Sequence, residues 1–147
     1  EANSVLQAEM AKEACAEEGL EAVEYTVSAS NEIQTVVESM VGKVDAIYAP
    51  TDNMIAAGMA TVAMVANDNG LPVICGESGM VEAGGLATYG IDYYQLGYLT
   101  GQQAIEILVD GADPAEMPIE YLSADECELS VNQDTADALG IDVSGLQ

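Results

Sequence analysis

The sequence has 147 residues, half of them hydrophobic, and a formal net charge of −24, with 26 acidic residues against two lysines, Lys12 and Lys43. This length can bury one proper core, and the apolar half sets the chain apart from a disordered acidic tail. The charge excludes a nucleic-acid footprint and docking on an anionic membrane surface, both of which need clustered basic residues.

No apolar run approaches the roughly 20 residues a membrane-spanning helix needs. The acidity reads as solubility and self-repulsion; a sharper reading is that a cationic ligand group is favoured near a cleft. The absence of histidine removes histidine triads, histidine metal sites and imidazole acid–base chemistry. Cys15 and Cys75 fall in helix and strand patterns and read as small buried hydrophobes, with Cys127 partly exposed. Their spacing matches no zinc motif, and no disulfide is expected. Neither a metal nor a cofactor is expected. The opening Glu1-Ala2-Asn3-Ser4 carries no signal peptide and reads as a mature or cut terminus.

Taken in order, Asn3 or Ser4 can cap a first helix running to about Glu18, with Leu6, Met10 and Ala14 on one stripe. Gly19 stops it. Leu20 to Ser28 reads as a strand with a tip at Ser30-Asn31-Glu32, and Ser30 or Asn31 can cap the next helix, which carries Ile33, Val36, Val37 and Met40 and ends at Gly42. Val44-Asp45-Ala46-Ile47-Tyr48-Ala49-Pro50 is a buried strand whose polar tip is Thr51-Asp52-Asn53. A helix from Met54 to Asn69 places Met54, Ala57, Gly58, Thr61, Val62 and Val65 on one face.

Leu71 to Gly76 is the next buried strand, with Glu77 and Ser78 at its tip. After a Gly84-Gly85 turn, Leu86 to Ile91 is a short strand with Asp92 at its tip. Tyr93 to Asp110 is a long helix with Leu96, Thr100, Ala104 and Leu108 on one face. Gly97 and Gly101, four apart, suit close packing against a sheet. Gly111 to Pro118 is a loop, Ile119 to Leu122 and Glu128 to Val131 are weak strand candidates, and Asn132 to Leu139 is a short helix.

This alternation is the signature of an α/β fold, a three-layer α-β-α sandwich with a mainly parallel sheet, Rossmann-like or flavodoxin-like. In such sheets ligands bind outside the carboxyl ends of the strands. The first helix has no strand before it. The chain, residues 1–147, is therefore expected to be one α/β lobe lacking its first strand, with the gap filled by a partner chain or by the rest of a longer polypeptide, because unpaired sheet groups are costly.

Three stretches then carry a resemblance: Val44 to Asn53, Gly76-Glu77-Ser78-Gly79-Met80-Val81, and Ala87 to Gly97. They resemble the second lobe of substrate-binding proteins of bacterial ABC importers, with the type I periplasmic-binding-protein fold, in a branch often annotated for aromatic amino acids. The similarity runs from about Glu1 to about Ile141, and Glu1-Ala2-Asn3-Ser4 matches the loop after that lobe's first strand. The resemblance implies a missing N-terminal lobe and an extracytoplasmic, secreted or lipid-anchored protein without enzymatic activity. Such a protein grips a small solute, here an amino acid, between two lobes and then docks on the permease subunits. It places ligand-facing residues at Asn3, Ser4, Ser30, Asn31, Thr51, Asp52, Asn53, Glu77, Ser78, Asp92 and Tyr93.

Each tip residue has an ordinary reading beside the functional one. Ser4, Ser30 and Thr51 stand where helices begin and read singly as N-caps; jointly, such helix starts could hold a ligand carboxylate without arginine. Asp52, Glu77 and Asp92 are either solvated loop charges or acceptors for an ammonium group. Tyr93 could line an apolar subsite. Met54, Met59 and Met64 read as core. Gly76-Glu77-Ser78-Gly79 departs from a nucleophile elbow, no phosphate-binding loop occurs, and neither lysine sits at a strand tip as a phospho-receiver would require. The alternative function is the effector-sensing lobe of a LacI-type transcription regulator, which shares the fold.

Overall fold

The computed structural model describes residues 1–146. The chain divides into two units, Glu1–Tyr89 with Leu129–Gln147, and Gly90–Glu128. The first contains α1 (Ala2–Glu17), α2 (Ile33–Met40), β1 (Ile47–Ala49), α3 (Asn53–Ala57), α4 (Met59–Asp68), β2 (Val73–Cys75), α5 (Ser78–Glu82), most of β3 (Ala87–Gly90) and of β4 (Glu128–Val131), and α7 (Gln133–Leu139). The second holds α6 (Tyr93–Leu108).

The strands form one sheet in the order β1-β2-β3-β4. β1 pairs parallel with β2, Ile47 opposite Val73 and Ala49 opposite Cys75, and β2 pairs parallel with β3 through Ile74 and Ala87. The α/β class with a mainly parallel sheet is thus the one expected. Strand alternation decides the core. Ile47, Ala49, Val73 and Cys75 point to one face and are buried with Ile33 and Val37 of α2, Met59, Val62, Ala63, Val65 and Ala66 of α4, and Met80 and Val81 of α5. Tyr48 and Ile74 point to the other face and are 42% and 39% exposed. A smaller cluster joins Leu86 and Ala87 to Ala136 of α7.

The helix expected from Met54 to Asn69 breaks in two at Gly58, whose N–H reaches the carbonyls of Met54 at 3.1 Å and Ile55 at 3.0 Å. The break has a packing cause: a Cβ on Gly58 would fall on the Ile33 Cδ1 methyl, so α2 lies in the notch that the glycine leaves. The break also shifts the buried face. Met59 is wholly buried, whereas Met64 is 54% exposed, so only one of the two is core. α5, five residues long, is too short to show a helical period and was not foreseen from sequence.

Three further expectations fail. Leu20 to Ser28 is not a strand: residues 21–28 make no backbone–backbone hydrogen bond, because the sheet ends at β1 and offers them no ladder. Ile119 to Leu122 is not a strand either, with Ile119 88% and Tyr121 79% exposed. The apolar stripe of α1 is not buried: Leu6 and Met10 are mostly exposed, Ser4 is its one buried residue, and Cys15 is only half-buried. In α6 no residue is buried, and a Cβ on Gly97 or Gly101 would meet nothing within 4 Å.

Candidate functional site

The tip of β1 is the most highly connected polar structure in the first unit. Asp52 leaves the strand with extended backbone and caps α3, its Oδ1 accepting from Met54 N–H at 2.9 Å and Ile55 N–H at 3.2 Å. Its Oδ2 accepts from the Ser4 hydroxyl at 2.9 Å. The residue is 7% exposed. Burial alone would raise its pKa, but the hydrogen bonds from Ser4, Ile55 and Met54 outweigh burial and hold the carboxyl below the usual range.

Thr51 uses every polar group it has. Its N–H donates to Gln7 Oε1 at 2.7 Å, its carbonyl accepts from Asn3 Nδ2 at 2.7 Å, and its hydroxyl donates to the Gly76 carbonyl at 3.1 Å. Asn53 Nδ2 sits 3.2 Å from both carboxylate oxygens of Glu1. Since Gly76 N–H also donates to Ala49 O at 2.8 Å, the β1 and β2 tips are held side by side. The structure therefore brings together Asn3, Ser4, Thr51, Asp52 and Asn53, with Gly76 and Glu77 at the adjoining tip. Gln7 was missed from sequence; its position four residues after Asn3, on the same helix face, was the available signal.

The remaining predicted residues stand apart or turn inward. Ser30 and Asn31 form an exposed single turn, and neither makes a side-chain hydrogen bond among the described residues. The cap positions are corrected accordingly: Glu1 precedes α1, Glu32 precedes α2, and Asp52 rather than Thr51 caps α3. Ser4 lies inside α1, its hydroxyl also 2.9 Å from the Glu1 carbonyl. Glu77 folds back to accept from Gly79 N–H at 2.9 Å. In the second unit, Asp92 caps α6, accepting from Tyr94 N–H at 2.8 Å and Gln95 N–H at 3.1 Å, and Tyr93 beside it is 53% exposed.

All three acidic tips are thus helix caps. At α3 and α6 the N–H groups that could have received a ligand carboxylate already serve a carboxylate of the chain, and its charge opposes a second anion. What these tips offer a solute is negative potential and acceptor lone pairs. A shallow hollow of about 460 Å³ lies elsewhere in the first unit, walled by Ser78, Glu82, Ser130 and Asp134 among others; Ser78 is the one predicted site residue that lines it. Among the described residues no cluster of acidic and sulfur side chains is arranged to hold a metal ion, and no helix is long and apolar enough to cross a membrane.

Comparison with known proteins points in one direction. A family described as "ABC transporter substrate binding protein" matches residues 1–145. A tyrosine-binding protein of Clostridioides difficile is 42% identical over 139 residues, which is 95% of this chain and 39% of that protein. The ligand-free, open structure of a substrate-binding protein with adhesive properties from Clostridium difficile aligns with TM-score 0.74 at 42% identity, covering 97% of this chain and 47% of that one. A Streptococcus pneumoniae ABC domain in complex with L-Trp aligns with TM-score 0.88 at 37% identity, covering 97% of this chain and 48% of that one. The chain spans about two fifths to one half the length of these relatives. Nothing in these matches supports the transcription-regulator alternative.

Proposed function

The chain belongs to the substrate-binding proteins of ABC transporters, and from that premise we propose that it is one lobe of an extracytoplasmic receptor that hands an aromatic amino acid to an importer's permease subunits. The observation that carries the amino-acid reading is that one relative, 42% identical, is a tyrosine-binding protein and that another, 37% identical, is a complex with L-Trp. The lobe's own chemistry agrees with it. Carboxylates cap the helices behind β1, β2 and β3, and the chain has no arginine and two lysines, of which Lys12 is already shared between Glu9 at 2.8 Å and Glu24 at 2.6 Å. An ammonium end suits such a surface; a carboxylate end does not.

In this reading Asn3, Asn53, Glu77, Asp92 and Tyr93, which reach the surface, are the ligand-facing residues, Ser4, Thr51 and Asp52 spend their polar groups within the chain and hold the β1 tip in shape, and a second lobe supplies the other half of the grip. The role is binding and release rather than catalysis. A thermal-shift series on the full-length protein tests it: L-tyrosine and L-tryptophan raise the melting temperature, and their decarboxylated amines retain more of that shift than their deaminated acids. A ligand at 100 times its Kd contributes about 2.7 kcal/mol of stability, which is readily seen. No response to any aromatic amino acid overturns the substrate.

A further inference from the structure

We propose that Asn69 is a site of spontaneous covalent modification, deamidation through attack of the Gly70 nitrogen on its side chain, and that the last turn of α4 gates the reaction by holding that nitrogen.

The reactive pair is set by the sequence. Of the six asparagines, Asn3, Asn31, Asn53, Asn67, Asn69 and Asn132, Asn69 alone precedes a glycine. Glycine has no Cβ to crowd its nitrogen, and its backbone is free to turn as ring closure requires. Solvent base takes the Gly70 amide proton, and the nitrogen attacks Asn69 Cγ. A C–N bond forms, Nδ2 leaves as ammonia, and a cyclic imide remains. Water then adds at Cγ to give aspartate, or at the main-chain carbonyl of residue 69 to give isoaspartate. Water is consumed and ammonia released, with no oxidant, reductant or second protein.

The gate is set by the fold. Asn69 is the C-cap of α4, and Gly70 follows in the left-handed conformation at φ 72°. Gly70 N–H donates to Asn67 O at 3.1 Å and Leu71 N–H to Ala66 O at 2.9 Å, the paired bonds that close a helix end on a glycine. The attacking nitrogen is therefore engaged. So is the leaving group, since Asn69 Nδ2 donates to Val65 O at 2.8 Å. Leu71, 6% exposed, anchors the turn in the core. Solvent access is no obstacle: Asn69 and Gly70 are exposed, and a Cβ on Gly70 would meet nothing within 4 Å. Opening this one turn frees both groups together.

The product does not restore the gate. A carboxylate at position 69 cannot donate to Val65 O, and it stands beside Asp68 at the helix end where the dipole disfavours negative charge. Isoaspartate also lengthens the main chain by a carbon between α4 and Leu71, the residue that leads into β2.

Peptide mapping by mass spectrometry tests this on the full-length protein aged at pH 8, in native buffer and in denaturing urea, with amide exchange at Gly70 read on the native sample. In urea, Asn69 is expected to convert fastest of the asparagines; another asparagine converting first overturns the site. In native buffer, conversion at Asn69 is expected to slow by the factor by which the fold slows exchange at Gly70, within about tenfold, because both need the same opening. Equal rates in buffer and urea, or a slowing outside that range, overturn the gate. Asn69→Asp, which carries the product's charge from the start, is expected to exchange about threefold or more faster at Gly70 and Leu71. Exchange as slow as the parent's overturns the one-way effect. None of these measurements uses a solute, so they stand or fall apart from the amino-acid reading.

Discussion

Gly76 and Thr51 are in contact across two strand tips with no room for a side chain between them. The Thr51 hydroxyl donates to the Gly76 carbonyl at 3.1 Å, and a Cβ on Gly76 would fall on the Thr51 backbone nitrogen and 2.9 Å from the Pro50 carbonyl carbon. The obstacle is backbone, which cannot swing aside. Gly76→Ala is expected to cost about 1–3 kcal/mol, the usual range for overpacking, read as a lower denaturation midpoint. Because the same residue spaces the two tips, solute affinity is expected to fall with it; a variant as stable as the parent would show that the tips can separate freely.

Asp52 links stability to acid. Its folded pKa is depressed, so its contribution is fully present above the ordinary carboxylate value of 3.8 and is lost as the pH falls through the folded value. Asp52→Ala is expected to cost about 0.5–2 kcal/mol at neutral pH, as a lost N-cap does. Asn caps helices as well as Asp, so Asp52→Asn should keep most of the cap while flattening the dependence below pH 4. Urea midpoints of the three proteins between pH 3 and 7 check both; parallel curves would remove Asp52 from the acid response.

Asp92 separates cap from charge in the same way. Asp92→Asn retains an acceptor for the Tyr94 and Gln95 amides and deletes the negative charge. If the solute's ammonium end faces Asp92, this variant keeps its melting temperature in the absence of ligand and binds the amino acid about tenfold or more weakly, a loss of about 1.4 kcal/mol. Titration calorimetry on the full-length protein reads the difference, and unchanged affinity takes Asp92 out of the site.

Cys75 is 3% exposed, and burial, with a further push from the Glu77 carboxylate, drives its thiol up to about 12. At pH 8 it should therefore resist alkylation until the protein unfolds. Cys15 and Cys127 are half-buried and should react first. Mass spectrometry after a short exposure to iodoacetamide distinguishes the three; early labelling of Cys75 would mean that the β2 core opens in the native state.

Much of this structure was legible because local signals agreed with one another. α2, α6, α7 and the three parallel strands lie within a few residues of their expected bounds, since hydrophobic period and glycine stops pointed the same way. The failures share one cause, tertiary partners that a local pattern cannot register. Tyr25 and Val27 alternate as a strand should, yet a strand needs a neighbour. Leu6 and Met10 form a helical stripe, yet nothing covers it. At the site, the polar tips were visible, but their mutual use was not. Nothing local announces that Asp52 rather than Thr51 will cap α3, or that Asn3 and Gln7 will close on Thr51 from 48 and 44 residues away.

Those long separations along the chain have a bearing on how the molecule comes apart. The contacts that hold α1 to the β1 tip are polar and few, whereas α2, α4 and the strands share a continuous apolar interior. In limited proteolysis of residues 1–147 the ladderless stretch after Gly19 should be nicked first, and α1 should then peel away as a separate subglobal unit while the α2–α4 body stays folded. The helix that frames the candidate solute contacts is by this reckoning the most readily released part of the lobe.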